Sequence, residues 1–374
     1  MHKITFFPVG NADSCMVDLK CGKKMLFDFA NFNDDNDDDE PRINLGEALR
    51  ENLESTGNKH FDVVAFTHAD DDHVHGASEF FYLEHAEKYR DDERIKIKDL
   101  WVPAAMILEE NLKNDAIVIR AEARYRLKEG KGIKVFSRPE RLKKWLEDQG
   151  IDVKDRSHLI INAGNTVTGF SKSINEVEFF VHSPFAAESD GKKIERNEAS
   201  LIFQVKFYSD DKETKFLLIG DTTYDILEEI VGITRNKMNE DRLEWDIYDV
   251  PHHCSYLALN IEKGKKKTEP VEDVKWMLEK GNKYGCIISS SNPIPDNDDD
   301  DNPPHRQAAN CYKEYAEKIG GQFKVTMEHS SKKKPKPLMI GIDKDGATIK
   351  LSANISVAAS PIITQKPPRA GKFR

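Results

Sequence analysis

The feature that most constrains this chain is the stretch Thr67-His68-Ala69-Asp70-Asp71-Asp72-His73-Val74-His75-Gly76. Three histidines and three aspartates fall within eight residues, directly after the apolar run Val63-Val64-Ala65-Phe66. Such a run ahead of a polar cluster predicts a buried β-strand that ends in a turn. The strand fixes where the side chains start, and the turn lets them converge. Carboxylates mixed with imidazoles suit Zn²⁺, Mn²⁺ or Fe. A run of aspartates alone is most often a solvated loop. The strand in front and the interleaved histidines set this one apart.

The pattern recurs along the chain. Phe216-Leu217-Leu218-Ile219-Gly220 leads to Asp221, and Ile247-Tyr248-Asp249-Val250-Pro251 leads to His252 and His253. In layered α/β folds, binding groups gather at the C-terminal ends of strands, where loops converge on one crevice. His182 after a strand at 176–181 and Asn197-Glu198-Ala199-Ser200 ahead of one at 200–208 are weaker members of the series. Either alone reads as a turn residue or a hydrogen-bonded core histidine. Together with the dense cluster they read as one site.

A chain of 374 residues, 38% hydrophobic and 33% charged, holds one large α/β domain or two smaller ones. Strands are expected at 4–7, 14–19, 24–29, 62–67, 159–161, 176–181, 200–208, 215–219, 245–250 and 284–290. A helix is expected at 43–55. From 77 to 154 the character changes to charged, helix-favouring segments (80–89, 104–130, 139–149) around a strand-like 97–102, read as a helical insertion in a domain spanning 1–352. Residues 353–374 read as a flexible tail. The acidic run 33–40 lacks the central Gly of a calcium-binding EF-hand loop and reads as solvated. The net charge of −10 excludes the global basic field of a nucleic-acid coating protein, though not a nuclease that attracts phosphate through metal ions. Five cysteines without paired zinc-type spacing, an N-terminus without a signal-peptide core, and no membrane-length apolar stretch predict a reduced, cytoplasmic protein with no membrane association.

The order of these motifs resembles the metallo-β-lactamase fold, and within it the hydrolase domain of the competence protein ComEC in a soluble, stand-alone form. The fold signature His-x-His-x-Asp-His stands here as His68-Ala69-Asp70-Asp71-Asp72-His73, with Asp70 in the second histidine position. Residues Phe7-Pro8-Val9-Gly10-Asn11-Ala12-Asp13-Ser14 are similar to that branch's "DVGQGDS", and Leu26-Phe27-Asp28-Phe29-Ala30 to its "LIDAG". Asn197 to Phe203 is similar to "NNNSLVL", Gly220-Asp221 to "TGD", Pro251-His252-His253-Cys254-Ser255 to "HHGS", and Pro304-His305 to a late "HPH". Three departures stand out. Cys254 replaces the usual Gly, Phe29 interrupts the "DAG" turn, and Asn197 falls where a third histidine is usual.

The resemblance implies an αββα sandwich with two divalent metal ions, Zn²⁺ or Mn²⁺, bridged by Asp221. His68 and Asp70, with His253 or Asn197, would serve the first metal. Asp72 and His73, with His252 or His253, would serve the second, and sequence does not separate those two histidines. Asp70 is a harder ligand than imidazole and shifts the expectation towards Mn²⁺. The implied activity is a metal-dependent phosphodiesterase or nuclease acting on DNA through a hydroxide activated between two metals. The residues expected at the chemistry are Asp72, His253 and His305, with Asn197, Ser200 and Ser255 towards substrate. His305 is read equally as a helix cap. Alternatives are a hydrolase of a small phosphodiester or other ester, and an inactive scaffold. A protein partner encoded by a neighbouring gene, in antiphage defence or DNA processing, fits a stand-alone form. Arg90, Arg94, Lys96, Lys98, Arg120, Arg124, Arg126 and Lys128 either make a basic surface or are ordinary solvated helix faces.

Overall fold

The computed structural model describes residues 1–34, 36, 37, 39–190 and 194–350. The tail expected at 353–374 lies outside the described residues. The strands of the first half are β1 (His2–Phe6), β2 (Cys15–Asp18), β3 (Lys24–Phe27), β4 (His60–Ala65), β5 (Phe81–Tyr82), β6 (Ile95–Pro103), β7 (Ile133–Phe136) and β8 (Ile160–Ile161). Those of the second half are β9 (Val177–Ser183), β10 (Ile202–Ser209), β11 (Lys212–Ile219), β12 (Trp245–Asp249), β13 (Gly281–Ser289), β14 (Gln322–Val325), β15 (Leu338–Asp343) and β16 (Gly346–Lys350).

Two-residue alternation within these strands dictates the layering. Along β11, Phe216 and Leu218 face the space between two sheets, while Leu217 and Ile219 face helices on the far side. Along β3, Met25 and Phe27 join the same inter-sheet core and Leu26 points outward. The first sheet has the order β16-β15-β1-β2-β3-β4-β6-β7-β8, with β5 against β6, and the second has β14-β13-β12-β11-β10-β9. Helices Leu45–Ser55, Asn114–Glu129 and Glu140–Asp148 cover the outer face of the first sheet. Helices Tyr224–Asn236, Glu272–Leu278 and Arg306–Lys318 cover that of the second. The result is the expected αββα sandwich, with three apolar layers between its four tiers.

The segment 77–154 carries the helices expected of it, but it is also threaded by strands. β6 and β7 pair in parallel and extend the first sheet beyond β4. The segment is therefore part of the sandwich wall and not an appendage to it. Residues 80–89, expected as helix, instead give the short β5 and a single 3-10 turn, Glu87–Tyr89. The hairpin β15–β16 had no counterpart in the sequence reading, and β15 closes the first sheet against β1. None of the five cysteines is paired, and only Cys21 is exposed. No helix among the described residues is long and apolar enough to cross a membrane.

β3 and β4 run parallel in one sheet, and β11, β12 and β13 run parallel in the other. Their C-terminal ends meet along one edge. There the Leu201 N–H donates to the Thr67 carbonyl at 3.0 Å, joining the two sheets. Gly220 is required at this crossing, since a Cβ there would lie 2.8 Å from the Thr67 Cβ.

Candidate metal centre

The turn after β4 is pinned on both sides before any side chain is considered. Asp70 caps a one-turn helix, Asp71–Val74. The Asp13 N–H donates to the Asp72 carbonyl at 3.1 Å, and the Phe29 N–H donates to the His73 carbonyl at 3.0 Å. The loops after β1 and β3 thus hold the cluster in place. Asp28, at φ 58°, turns its carboxylate beneath it. That carboxylate accepts the Thr67 N–H at 2.7 Å, the Thr67 hydroxyl at 2.7 Å and His73 Nδ1 at 2.8 Å. A carboxylate on Nδ1 keeps the proton there and leaves the Nε2 lone pair for the cluster.

His73 Nε2 lies 3.5 Å from Asp221 Oδ1, 3.8 Å from Asp13 Oδ2 and 3.8 Å from Asp72 Oδ1. His253 Nε2 lies 3.1 Å from Asp72 Oδ2 and 3.6 Å from Asp221 Oδ2, while its Nδ1 engages the Ser290 carbonyl at 2.9 Å. One ligand atom from each of Asp13, His73, Asp221 and His253 falls within 4.8 Å of the others, and so do those of His68, Asp72 and His73. The structure therefore separates the two adjacent histidines. His253 is buried inside the cluster, and His252 stands partly exposed at its mouth, 3.8 Å from Asp221. Three successive residues, His252, His253 and Cys254, hold φ values of 51°, 49° and 67° to present them so. A side chain at such angles is strained, which is why Gly suits position 254.

The donor atoms fit a divalent cation. His68 Nε2, His73 Nε2 and Asp221 Oδ1 are buried without a hydrogen-bond partner among the described residues. Leaving a polar atom so costs about 1–3 kcal/mol. The atoms of His73 and Asp221 sit in one cluster and that of His68 in an adjoining one that shares His73, among carboxylates that match a cation's coordination shell. Electrostatics point the same way. Burial alone would raise the Asp221 carboxyl, but the His253 and His73 imidazoles hold it well below the usual range. Burial pushes Asp13 up to about 6 against the pull of the same two histidines. Burial opposes a proton on His253, yet Asp221, Asp72 and Asp13 raise it to about 10. Asp249, behind the cluster, is pushed well up by burial and then by Asp13 and Asp28. The site has more negative charge than its imidazoles balance.

Asp70 stands apart from this group. Its Oδ2 is 3.4 Å from His68 Nε2, and its Oδ1 is taken by the Arg196 guanidinium at 2.5 Å. Arg196 is in turn gripped by the Glu109 carboxylate through Nε (2.9 and 3.0 Å) and Nη2 (2.6 Å). Asp70, Glu109, Arg196, Asn197 and Thr223 line a cavity of about 730 Å³ beside the cluster.

The other expected residues lie as follows. Asn197 is on the cavity wall. Ser200 is buried near Gly220, its hydroxyl without a partner among the described residues. Ser255 caps a short turn by accepting the Leu257 N–H at 3.3 Å. His305 occupies the residue before the helix Arg306–Lys318 without a side-chain bond to it, its Nδ1 accepting the Tyr256 N–H at 3.4 Å and its Nε2 on the Asp301 carbonyl at 3.0 Å. Both its ring nitrogens are engaged by backbone outside that helix, a structural tether in place of a side-chain cap. His182 bonds the Arg242 carbonyl at 2.9 Å, and its burial pushes its pKa down to about 4. The basic side chains of 77–154 are largely spent within the fold. Arg90, Arg94, Arg120, Arg124 and Arg126 donate to backbone carbonyls, and Lys98 pairs with Asp62. Arg90, Lys96, Lys98 and Arg126 nevertheless line one pocket with Lys59 and Glu84. Asp13, Asp28 and Arg196 were not among the expected site residues. The first two lie inside the motifs that carry the resemblance, whereas Arg196 had no sequence signal.

No family model and no curated protein matches this chain. Among solved structures, unliganded yeast PDE1 is similar at 11% identity over 87% of this chain and 97% of that one, with a TM-score of 0.44. The metallo-β-lactamase GOB-18 from Elizabethkingia meningoseptica is similar at 13% identity over 73% and 84%, with a TM-score of 0.32. A diphosphatase from the PhnP family is similar at 11% identity over 90% and 96%, with a TM-score of 0.32. Similarity of this size says nothing about activity, and none of these names bears on the ComEC-like branch.

Proposed function

We propose that this chain is a metal-dependent hydrolase of phosphodiesters, with a DNA strand as the favoured substrate. One observation carries the reading: of the buried donor atoms without a hydrogen-bond partner among the described residues, those of His73 and Asp221 share one cluster with Asp13 and His253, and that of His68 shares a second with Asp72 and His73. Asp13, Asp72, His73, Asp221 and His253 would hold a divalent ion, with His68 beside them. Such an ion supplies Lewis acidity to a phosphoryl oxygen and acidifies water at neutral pH.

The chain's own residues do the rest. Asp28 holds the His73 proton on Nδ1 and so keeps Nε2 a donor of its lone pair. The Ser290 carbonyl does the same for His253. His252, partly exposed at the mouth and 3.8 Å from Asp221, would contact a phosphate oxygen entering there. The adjoining cavity, about 730 Å³, has room for a nucleotide-sized group.

A second reading, hydrolysis of a small phosphodiester, is favoured by the ion pairs that counter Arg94, Arg120, Arg124 and Arg126, which leave less positive charge to track a duplex backbone. A scaffold without chemistry is disfavoured, because it would leave the buried donors uncompensated.

The test is a panel of single-stranded DNA, duplex DNA, RNA and bis-p-nitrophenyl phosphate, offered to metal-stripped protein with Mn²⁺ or Zn²⁺ restored. Hydrolysis is expected with metal and lost in Asp72→Ala and Asp221→Ala, with circular dichroism unchanged. Turnover of every substrate at the chelator background would refute the reading, and turnover of the chromogenic diester alone would select the small-substrate form.

A further inference from the structure

The half of the site assigned by resemblance to a first metal does not match what two metals need. Among the described residues, Asp72 and His73 form a cluster with His68, but His73 also belongs to the other group and Asp72 Oδ2 lies 3.1 Å from His253 Nε2, within that other group. Asp70 reaches within 3.4 Å of His68 through Oδ2, but its charge is already countered by Arg196 at Oδ1. No histidine lies between 194 and 200, where the third imidazole was sought. A catalytic metal site takes about three protein ligands of its own; in the cluster of His68, Asp72 and His73, His68 alone is unshared with the other group.

We propose, building on the phosphodiesterase reading, that Arg196 stands in for the first cation. The chain binds one divalent ion tightly, at Asp13, Asp72, His73, Asp221 and His253, and Arg196 supplies the second positive charge to the substrate phosphate. The guanidinium cannot lose its proton. Fixed on Asp70, it repels a divalent ion at the adjoining position and cancels the carboxylate that would attract one. Glu109 holds it there through three contacts, so its position does not depend on substrate. Those contacts and the Asp70 bond use one N–H on each of Nε, Nη1 and Nη2. One N–H on each terminal nitrogen is then without a partner among the described residues. The side chain is 30% exposed and borders the large cavity. Two N–H groups on a planar fork match two oxygens of a phosphodiester. Arg196 would thus be a substrate-binding residue of the same site.

Metal stoichiometry tests this independently of turnover. The full chain, stripped by chelator, is titrated with Mn²⁺ or Zn²⁺ by calorimetry, with elemental analysis of the washed complex. One equivalent is expected in the wild type, any second binding at least about a hundredfold weaker. Arg196→Met frees Asp70 and should bring the second equivalent to within about tenfold of the first. Glu109→Gln, which touches no proposed ligand, should do the same in part, and melting curves establish that both variants are folded. With bis-p-nitrophenyl phosphate, Arg196→Met should raise KM more than it lowers kcat. Two equivalents of similar affinity in the wild type would overturn the proposal, as would folded variants that still take only one. A wild type that binds no metal at all would overturn the phosphodiesterase reading itself.

Discussion

Replacing Asp28 by Asn removes a charge while keeping shape and backbone preference, since Asn tolerates the φ of 58° as readily as Asp. The carboxylate accepts from three donors: the Thr67 N–H, the Thr67 hydroxyl and His73 Nδ1. The Asn oxygen can keep the first. Its amide nitrogen can then donate to the Thr67 hydroxyl, which rotates to accept, and to His73 Nδ1, which becomes an acceptor. Every group stays paired, so stability in chelator should change by no more than about 1 kcal/mol. The proton of His73, however, moves to Nε2 and blocks the lone pair that faces Asp221. Restoring the tautomer sets Nδ1–H against an amide N–H and forfeits a charge-assisted bond worth about 1.5–3 kcal/mol. At about 2 kcal/mol, metal affinity falls roughly 30-fold, within the 10–100-fold span typical of groups behind a ligand. Calorimetric titration of stripped protein with Zn²⁺ measures it, beside thermal melts in chelator. An unchanged Kd would refute the argument that Asp28 sets the His73 tautomer. A large loss of stability in chelator would show that Asp28 serves folding first.

Three further outcomes follow from the structure. Metal at about a hundredfold excess over its Kd should stabilise the protein by about 2.7 kcal/mol, a rise of about 3–5 °C in Tm by scanning calorimetry; a Tm indifferent to chelator would contradict the site. Cys254→Gly relieves a φ of 67°, about 1–2 kcal/mol, and loses a small buried thiol of comparable worth. Its unfolding free energy should stay within about 1 kcal/mol of wild type, whereas a loss above about 2 kcal/mol would show that the thiol packs better than its strain costs. Glu122, buried between His85 and Arg126, would be raised by burial, but those partners hold it down to about 2. A carboxyl so depressed lends stability above its unfolded value of about 4.3, lost as pH falls from there towards 2. Glu122→Gln should cost up to about 3 kcal/mol at pH 7, and urea melts should show the gap narrowing below pH 4.5; a gap independent of pH would refute the ion-pair account.

Short-range patterns were legible in the sequence and long-range partnerships were not. The run Val63–Phe66 and the cluster after it announced both β4 and the site, because a strand end and its turn are local. Asp221 and the pair His252 and His253 were found the same way. Telling the two histidines apart needed backbone geometry, since only the left-handed path through 252–254 turns one inward and leaves the other at the mouth. β7, with four residues between two helices, was hidden because its pairing with β6 is its reason to be a strand. The partnership of Arg196 with Asp70 spans 126 positions and depends on a loop that carries no motif. His305 was singled out by a motif match, and its ring is tethered to the backbone at Tyr256 and Asp301, contacts that no local pattern announced.

The cluster draws Asp72 and His73 from one sheet edge and Asp221 and His253 from the other. An ion shared among them would rivet the two halves of the molecule across a seam also closed by apolar packing, the contact of Leu201 with Thr67 and the pairing of Arg196 with Asp70. Such a fastener can form only after both halves have taken shape. Its slow exchange with solvent would then time the opening of the whole seam, so the rate at which metal escapes should track amide exchange at the two strand ends that meet there.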